Sequence, residues 1–302
     1  MGFCEKLVWS VVPFGDSDIV RHLMRERLSN LTPNCPMAPI RPISLNQFLS
    51  NQNLPSELKL PWTHSTSANN LMDIVADKKL LATPCNVFKG EKLCYLFVGR
   101  PAYKIKPSEN PSPWQLPVAF VVRFEEAPPI KRVFPFDSGA FHQQRLPSYI
   151  TTFKMAGYDL AGNPELIGRL VSFYFKSPER YFHRRPAGEE EIKDQYNLDM
   201  RHAEVMALSR LYLENSSTDC DDRAAAIEIQ IEQDLEIRND NLLGIVMPAE
   251  YARVPDLLAS IKDITPNVET YDLMPLGTMS HYGLLYQGVM NIYKRCGIKL
   301  VA

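Results

Sequence analysis

Polar side chains follow two apolar segments of the chain, where the chain direction is predicted to change. His64 and Thr66 come just after an apolar stretch that ends at Trp62, and Arg100 and Tyr103 come just after the run LCYLFV. Imidazole, hydroxyl, guanidinium and phenol groups can anchor a polar substrate through hydrogen bonds and charge. A histidine therefore leaves one predicted strand, and an arginine and a tyrosine leave the next.

A carboxylate that could act with these groups lies much later in the chain. In AAAIEIQIEQ, three isoleucines alternate with Glu228, Gln230 and Glu232. Period-two alternation places the isoleucines on one face of a strand and the polar residues on the other. We expect the isoleucine face to pack on the core and the opposite face to present carboxylates. Glu228 is the first candidate, and Gln230 and Glu232 leave the assignment open.

Motifs for metal catalysis, acyl transfer and nucleotide phosphate binding are absent from the sequence. The chain has no H-E-x-x-H, G-x-S-x-G, G-x-x-x-x-G-K-[ST] or G-x-G-x-x-G motif, and its six cysteines form no C-x-x-C pair. Asp137, Ser138 and His142 superficially offer a hydrolase set, which the lack of a nucleophile elbow disfavours. We therefore expect chemistry without a metal and without a nucleophilic residue.

The stretch from Trp62 to Lys104 resembles the NAD-binding half of DarT-type ADP-ribosyltransferase toxins. The resemblance is carried by the H-x-T at His64, by a following helix, and by a pattern Φ-Y-Φ-F-x-x-R-x-x-Y that starts at Cys94, beside Tyr95. It implies an enzyme that uses NAD as a substrate and transfers ADP-ribose to a base of DNA or RNA. It also implies an α+β fold with a split mixed β-sheet around an NAD cleft and with flanking helices.

The same resemblance implies a role for each matching residue near the ribose and the acceptor. The context DRAAAIEIQ is similar to the segment that carries the catalytic glutamate of these enzymes, which points to Glu228 and makes Arg223 a neighbour. His64 resembles the histidine that anchors the NAD ribose. Arg100 resembles an arginine that contacts phosphate and activates the target base. Each of these side chains also has a purely structural interpretation, as a strand-end or surface residue.

The remaining cofactor contacts are expected around the nicotinamide. Thr66 would hold the nicotinamide amide or simply bond to the backbone. Tyr103 would stack on the nicotinamide ring, and Tyr95 is the alternative, although its position in the middle of a predicted strand also suits a core residue.

A basic and aromatic segment later in the chain predicts contacts to nucleic acid. Tyr181, Arg184 and Arg185 lie in a predicted exposed loop, and Lys131 could belong to the same groove. Interleaved aromatic and basic side chains suit stacking on bases combined with phosphate contacts. The simpler interpretation is an exposed loop that happens to be basic.

Composition limits the classes of function. The 302 residues carry a formal net charge of −2, which argues against a protein that binds polyanions through bulk charge and leaves a local basic groove open. We find no signal peptide and no apolar run long enough to span a membrane, so we expect a cytoplasmic protein without a membrane partner. The resemblance implies a bacterial toxin or phage-defence effector with an antitoxin protein as partner. The alternatives are a non-catalytic nucleic-acid or protein binding module on a degenerate scaffold, and an ADP-ribosyltransferase that acts on protein.

The order of predicted elements indicates a mixed α and β chain. Residues 1–56 are predicted to be an N-terminal extension that packs on the core, and residues 57–302 the catalytic domain. We expect buried strands over 117–124 and 242–248, because both are nearly continuous apolar runs. We expect helices over 164–175 and 192–214, the second being the longest. The spacing of the strands is too irregular for βαβ winding.

Overall fold

A computed structural model of the chain describes residues 41–103, 108–214 and 222–300. The segment from Pro42 onward forms one compact unit. Its first helix, α1 (Leu45–Ser50), buries Leu45, Phe48 and Leu49 in the core of that unit. The compact unit therefore includes α1, which lies within the residues 1–56 predicted to be an N-terminal extension. The rest of the predicted extension, residues 1–40, lies outside the described ranges.

The centre of the unit is a mostly antiparallel β-sheet. Its strands in chain order are β1 (Trp62–Ser67), β2 (Lys79–Leu80), β3 (Thr83–Pro84), β4 (Lys92–Val98), β5 (Pro117–Val122), β6 (Arg132–Phe134), β7 (Glu228–Ile231), β8 (Leu235–Glu236), β9 (Leu242–Pro248) and β10 (Val268–Tyr271). The sheet order is β10-β9-β5-β1-β4-β7-β6, with β3 paired to β4, while β2 and β8 form a separate two-stranded ribbon. The expected mixed α+β class is confirmed at this level.

Two strands at the middle of the sheet separate along their length. β1 pairs with β5 over all six of its residues, from Trp62 to Ser67. The same strand pairs with β4 only at Trp62 and Thr63, opposite Val98 and Phe97. Because β1 leaves β4 after Thr63, the sheet is divided there into a half that contains β5, β9 and β10 and a half that contains β7 and β6.

Helices cover the sheet and fill the long connection between β6 and β7. They are α2 (Leu71–Asp77), α3 (Ser138–His142), α4 (Ser148–Thr151), α5 (Pro164–Phe175), α6 (Pro178–Phe182), α7 (Glu189–Gln195), α8 (Ala203–Leu213), α9 (Ala249–Ala252), α10 (Pro255–Lys262) and α11 (His281–Arg295). Within the described ranges, no helix has both the length and the apolar character needed to cross a membrane.

Local sequence explains most of these elements. Every residue of β5 is buried, as expected for its apolar run, and β9 has the predicted bounds. Helix α5 starts where Asn163 accepts a hydrogen bond from the Glu165 backbone N–H, a typical N-cap, with a proline at the first position. β9 and β10 pair in parallel, with α9 and α10 between them. The described part of the chain therefore contains a βαβ unit, which the strand spacing did not predict.

The prediction of one continuous helix over 192–214 is wrong. α7 ends at Gln195, and Asn197 has a positive φ of 49°. A short 3-10 turn follows, capped by Asp199, whose side chain accepts a hydrogen bond from the Arg201 backbone N–H. Because a left-handed residue and a new N-cap interrupt the helical hydrogen bonds, α8 starts as a separate helix.

Candidate active site

Glu228, the first residue of β7, has a buried carboxyl group that accepts three hydrogen bonds. Its side chain is 1 % exposed. One oxygen, Oε2, accepts from the Ser138 backbone N–H at 3.1 Å. The other, Oε1, accepts from Ser138 Oγ at 2.7 Å and from Gln230 Nε2 at 2.6 Å. The expectation that the polar face of β7 is open is therefore wrong, since α3 covers it and supplies donors to the carboxylate.

Burial makes ionisation of Glu228 costly. Loss of water around the carboxyl, followed by the negative charge of nearby Asp137, outweighs the hydrogen bonds from Gln230 and Ser138 and raises the pKa of Glu228 to about 8. Asp137 itself caps α3 and forms an ion pair with Arg223, with Oδ2 at 3.3 Å from Nη1. A carboxyl with a pKa near neutrality can change its protonation state during a reaction at physiological pH.

Stability should therefore depend on pH through Glu228. Between the unfolded pKa of about 4.5 and the folded pKa of about 8, the folded protein holds a proton that the unfolded chain releases. We expect the wild type to lose stability as pH rises across this window, relative to Glu228→Gln, by on the order of 3 kcal/mol. Urea unfolding of both proteins at pH 5 and pH 8.5 measures this difference. Parallel pH curves for the two proteins would contradict it.

Tyr95 lies beside Glu228 on the same face of the sheet. In the antiparallel pairing of β4 with β7, Tyr95 is opposite Gln230 and Phe97 is opposite Glu228, so these four side chains share one face. The half-buried Tyr95 hydroxyl is 2.8 Å from Cys85 Sγ. Burial, the bond to Cys85 and the charge of Glu228 together raise the pKa of Tyr95. Tyr95 is therefore a neutral phenol next to the buried carboxyl.

His64 spans the gap where β1 leaves β4. Its Nδ1 lies 2.9 Å from the carbonyl oxygen of Tyr95. Since a carbonyl only accepts, Nδ1 carries the proton. Burial lowers the pKa of His64, which favours the neutral ring and leaves Nε2 as an acceptor. Within the described residues, the hydrogen bond that the His64 ring makes is the one through Nδ1. The ring can therefore accept a bond from a hydroxyl of a ligand.

The expected site residues have different surroundings. His64 contacts the backbone of Tyr95, and the Tyr95 side chain shares a face of the sheet with Glu228. Thr66 accepts a hydrogen bond from Asn70 Nδ2 at 2.8 Å, and the Tyr103 hydroxyl is 3.0 Å from Ser67 Oγ. These two contacts lie towards the other end of β1.

Arg100 is buried under two helices, with 1 % of its surface exposed. Its Nη1 donates to the Ala225 carbonyl at 2.8 Å, its Nε donates to the Tyr286 hydroxyl at 3.2 Å, and its guanidinium carbon is 5.3 Å from the centre of the Tyr181 ring. The expected exit of this side chain towards a phosphate is not observed. Its contact with Ala225 instead fixes the chain three residues before Glu228, so Arg100 acts here as a positioning residue.

The predicted basic groove does not form as expected. Tyr181 lies in α6 with no exposed surface, and its hydroxyl donates to the Val98 carbonyl and accepts from the Ile227 N–H, both at 3.0 Å. A ring without an exposed face cannot stack on a base, so that prediction is corrected. Lys131 forms ion pairs with Glu91 at 3.3 Å and Glu232 at 2.6 Å.

The two arginines of the predicted groove differ from each other in exposure. Arg184 is half-buried, and its Nη2 donates to the Glu214 carbonyl at 3.3 Å. Arg185 is exposed. Of the four residues expected to contact nucleic acid, Arg185 is therefore the one whose side chain is largely open to solvent.

The sequence does not predict that Ser138 and Asp137 lie beside Glu228 in the candidate site. In the sequence they suggest only a hydrolase set with His142, which is exposed in the structure. Ser138 is fully buried and its hydroxyl donates to Glu228. Because α3 and β7 are joined by a long helical connection, sequence spacing carries no signal for this contact.

Comparisons of the chain with protein-family models, with curated proteins and with solved structures find no match.

Proposed function

We propose that the chain is an ADP-ribosyltransferase that takes ADP-ribose from NAD and attaches it to a base of DNA or RNA. The observation that carries the proposal is the gap between β1 and β4, bridged by His64 and flanked by the buried Glu228. A sheet divided at this point by a histidine, with a tyrosine and a glutamate on the next two strands, suits an NAD cleft. Toxin or phage-defence activity, with an antitoxin as partner, belongs to the same proposal.

The proposed reaction needs a carboxylate and a hydrogen-bond acceptor from the protein. The bond between ribose C1′ and the nicotinamide nitrogen breaks, its electron pair leaves with nicotinamide, and the ribose gains positive charge, as in other glycosyl transfers. Ionised Glu228 stabilises that charge, and neutral His64 accepts a hydrogen bond from a ribose hydroxyl. A nitrogen of the acceptor base then bonds to C1′, and the proton that it releases passes to Glu228.

The pKa of Glu228 suits both steps. Bound NAD brings the positive charge of its nicotinamide ring close to the carboxyl, which favours ionisation. When neutral nicotinamide has left and the acceptor is bound, a carboxyl with a pKa of about 8 takes up the proton readily at neutral pH. In the free protein, three hydrogen bonds from Ser138 and Gln230 hold the carboxyl in place.

Labelled NAD tests the proposal directly. The wild type is incubated with NAD labelled in the adenine, and single-stranded DNA, total RNA and a protein extract are offered in turn. We expect label on one nucleic acid and release of nicotinamide. Label on protein alone would keep the transferase and change its acceptor. Absence of both transfer and nicotinamide release with every acceptor would overturn the proposal.

A non-catalytic binding module remains the second candidate, because of one observation. Glu228 already accepts hydrogen bonds from Ser138 and Gln230, and it is 1 % exposed. A ligand must therefore displace Ser138 Oγ or Gln230 Nε2 to reach the carboxylate. NAD binding without nicotinamide release, measured by calorimetry, would favour this candidate.

A further inference from the structure

A large cleft lies at the end of the sheet where β1 begins and β5 ends. Its volume is about 720 Å³, and its lining comes from the segment before β1, the segment after β5 and the residues that follow α11. The side chains used in the argument are Lys59, Trp62, Arg123, Phe124, Ile298 and Lys299. None of them belongs to the candidate active site.

The cleft combines aromatic faces with positive charge. Trp62 and Phe124 are both half-buried, with ring centres 5.7 Å apart and an angle of 55° between the rings. Trp62 pairs with Val122 on β5, which places it at the end of the sheet, and Phe124 follows that strand by two residues. Trp62 therefore lies on a strand and Phe124 just beyond one, and part of the surface of both residues is exposed to a ligand.

Three cations and one acid line the cleft together with these rings. Lys59, Arg123 and Lys299 are exposed, and Arg123 Nη2 donates to the Lys59 carbonyl at 3.2 Å, which holds the two segments together. Glu57 forms an ion pair with Lys59 at 3.1 Å, with both side chains more than three-quarters exposed. Such an exposed pair is weak, so a phosphate can compete for the lysine.

We propose that this cleft binds single-stranded nucleic acid. Two aromatic residues and three cations that line one cleft match a strand whose bases stack while its phosphates contact lysine and arginine. The overall charge of the chain is −2, so the attraction is local to the cleft and does not arise from a generally basic protein. The inference does not depend on the transferase activity, because it concerns other residues and needs no NAD.

The test measures binding of a fluorescent single-stranded oligothymidine to the full chain without NAD. We expect binding that weakens with salt. Lys59→Ala with Lys299→Ala should weaken binding at least tenfold and reduce the slope of log affinity against log salt by about 1.4, at ~0.7 per phosphate contact on a single strand. The matched control is Lys154→Ala with Lys262→Ala, which removes two exposed lysines outside the cleft and should leave the affinity unchanged.

A second variant separates stacking from charge. Phe124→Leu keeps an apolar side chain against Trp62 and removes an aromatic face, so we expect about tenfold weaker binding with an unchanged salt slope. Melting curves check that each variant is folded. Equal affinities for both lysine double variants, no effect of Phe124→Leu, or equally tight binding of polyglutamate would each overturn the proposal. Since NAD is absent, none of these outcomes bears on the transferase.

Discussion

Glu228→Gln is expected to lower the rate of nicotinamide release by about 10²- to 10⁴-fold, the range typical for loss of a catalytic carboxylate. The substitution keeps the size of the side chain and an oxygen that can accept from Ser138 Oγ, but it removes the negative charge that the proposed reaction needs. The measurement is nicotinamide release at saturating NAD, at pH 8.5, where wild-type Glu228 is mostly ionised.

Glu232→Gln is the matched control for this result. Glu232 follows the same strand, but its side chain is 53 % exposed and forms an ion pair with Lys131. We expect a rate within about twofold of the wild type, because an exposed ion pair contributes little. A full rate with Glu228→Gln and a loss with Glu232→Gln would transfer the carboxylate role to Glu232.

Arg100→Met is expected to lower the free energy of unfolding by about 2–4 kcal/mol. The change keeps much of the apolar part of the side chain, but it leaves the buried Ala225 carbonyl and the Tyr286 hydroxyl without the bonds that Arg100 donates. Urea unfolding monitored by circular dichroism measures the loss.

Arg210→Met is the control for Arg100→Met. Both arginines lie over a tyrosine ring, but Arg210 is exposed whereas Arg100 is buried. The Arg210 guanidinium carbon is 4.4 Å from the centre of the Tyr149 ring, and its side chain is 56 % exposed and paired with Glu214. We expect a loss below about 1 kcal/mol there. If Arg100→Met were as mild as Arg210→Met while nicotinamide release fell, Arg100 would have a role in the reaction and not only in positioning.

The sequence predicts a strand well when the burial of that strand follows from the strand's own residues. The apolar runs of β5 and β9 were placed correctly because strands buried on both faces are apolar throughout. The alternation in β7 correctly assigned Ile229 and Glu228 to opposite faces. It did not reveal that the polar face is covered, because α3, which covers it, comes from a distant part of the chain.

Predictions of exposure from local composition are wrong where contacts with distant residues determine burial. The segment around Tyr181 is rich in charged residues, and this composition predicts an exposed loop. Its tyrosine is instead a core residue, because one hydroxyl can satisfy both the Val98 carbonyl and the Ile227 N–H where β4 and β7 meet. Similarly, nothing near Arg100 in sequence indicates that the Ala225 carbonyl and the Tyr286 hydroxyl accept its hydrogen bonds.

The pairing of β4 with β7 has a consequence for how the chain folds. Phe97 and Glu228 are direct neighbours in the sheet, although all the helices from α3 to α8 lie between them in sequence. Closing so large a loop costs chain entropy before the pairing returns any stabilisation, so such contacts form slowly. During synthesis, His64 and Tyr95 emerge from the ribosome long before Glu228. The nascent chain therefore passes through a period in which the two halves of the site cannot act together.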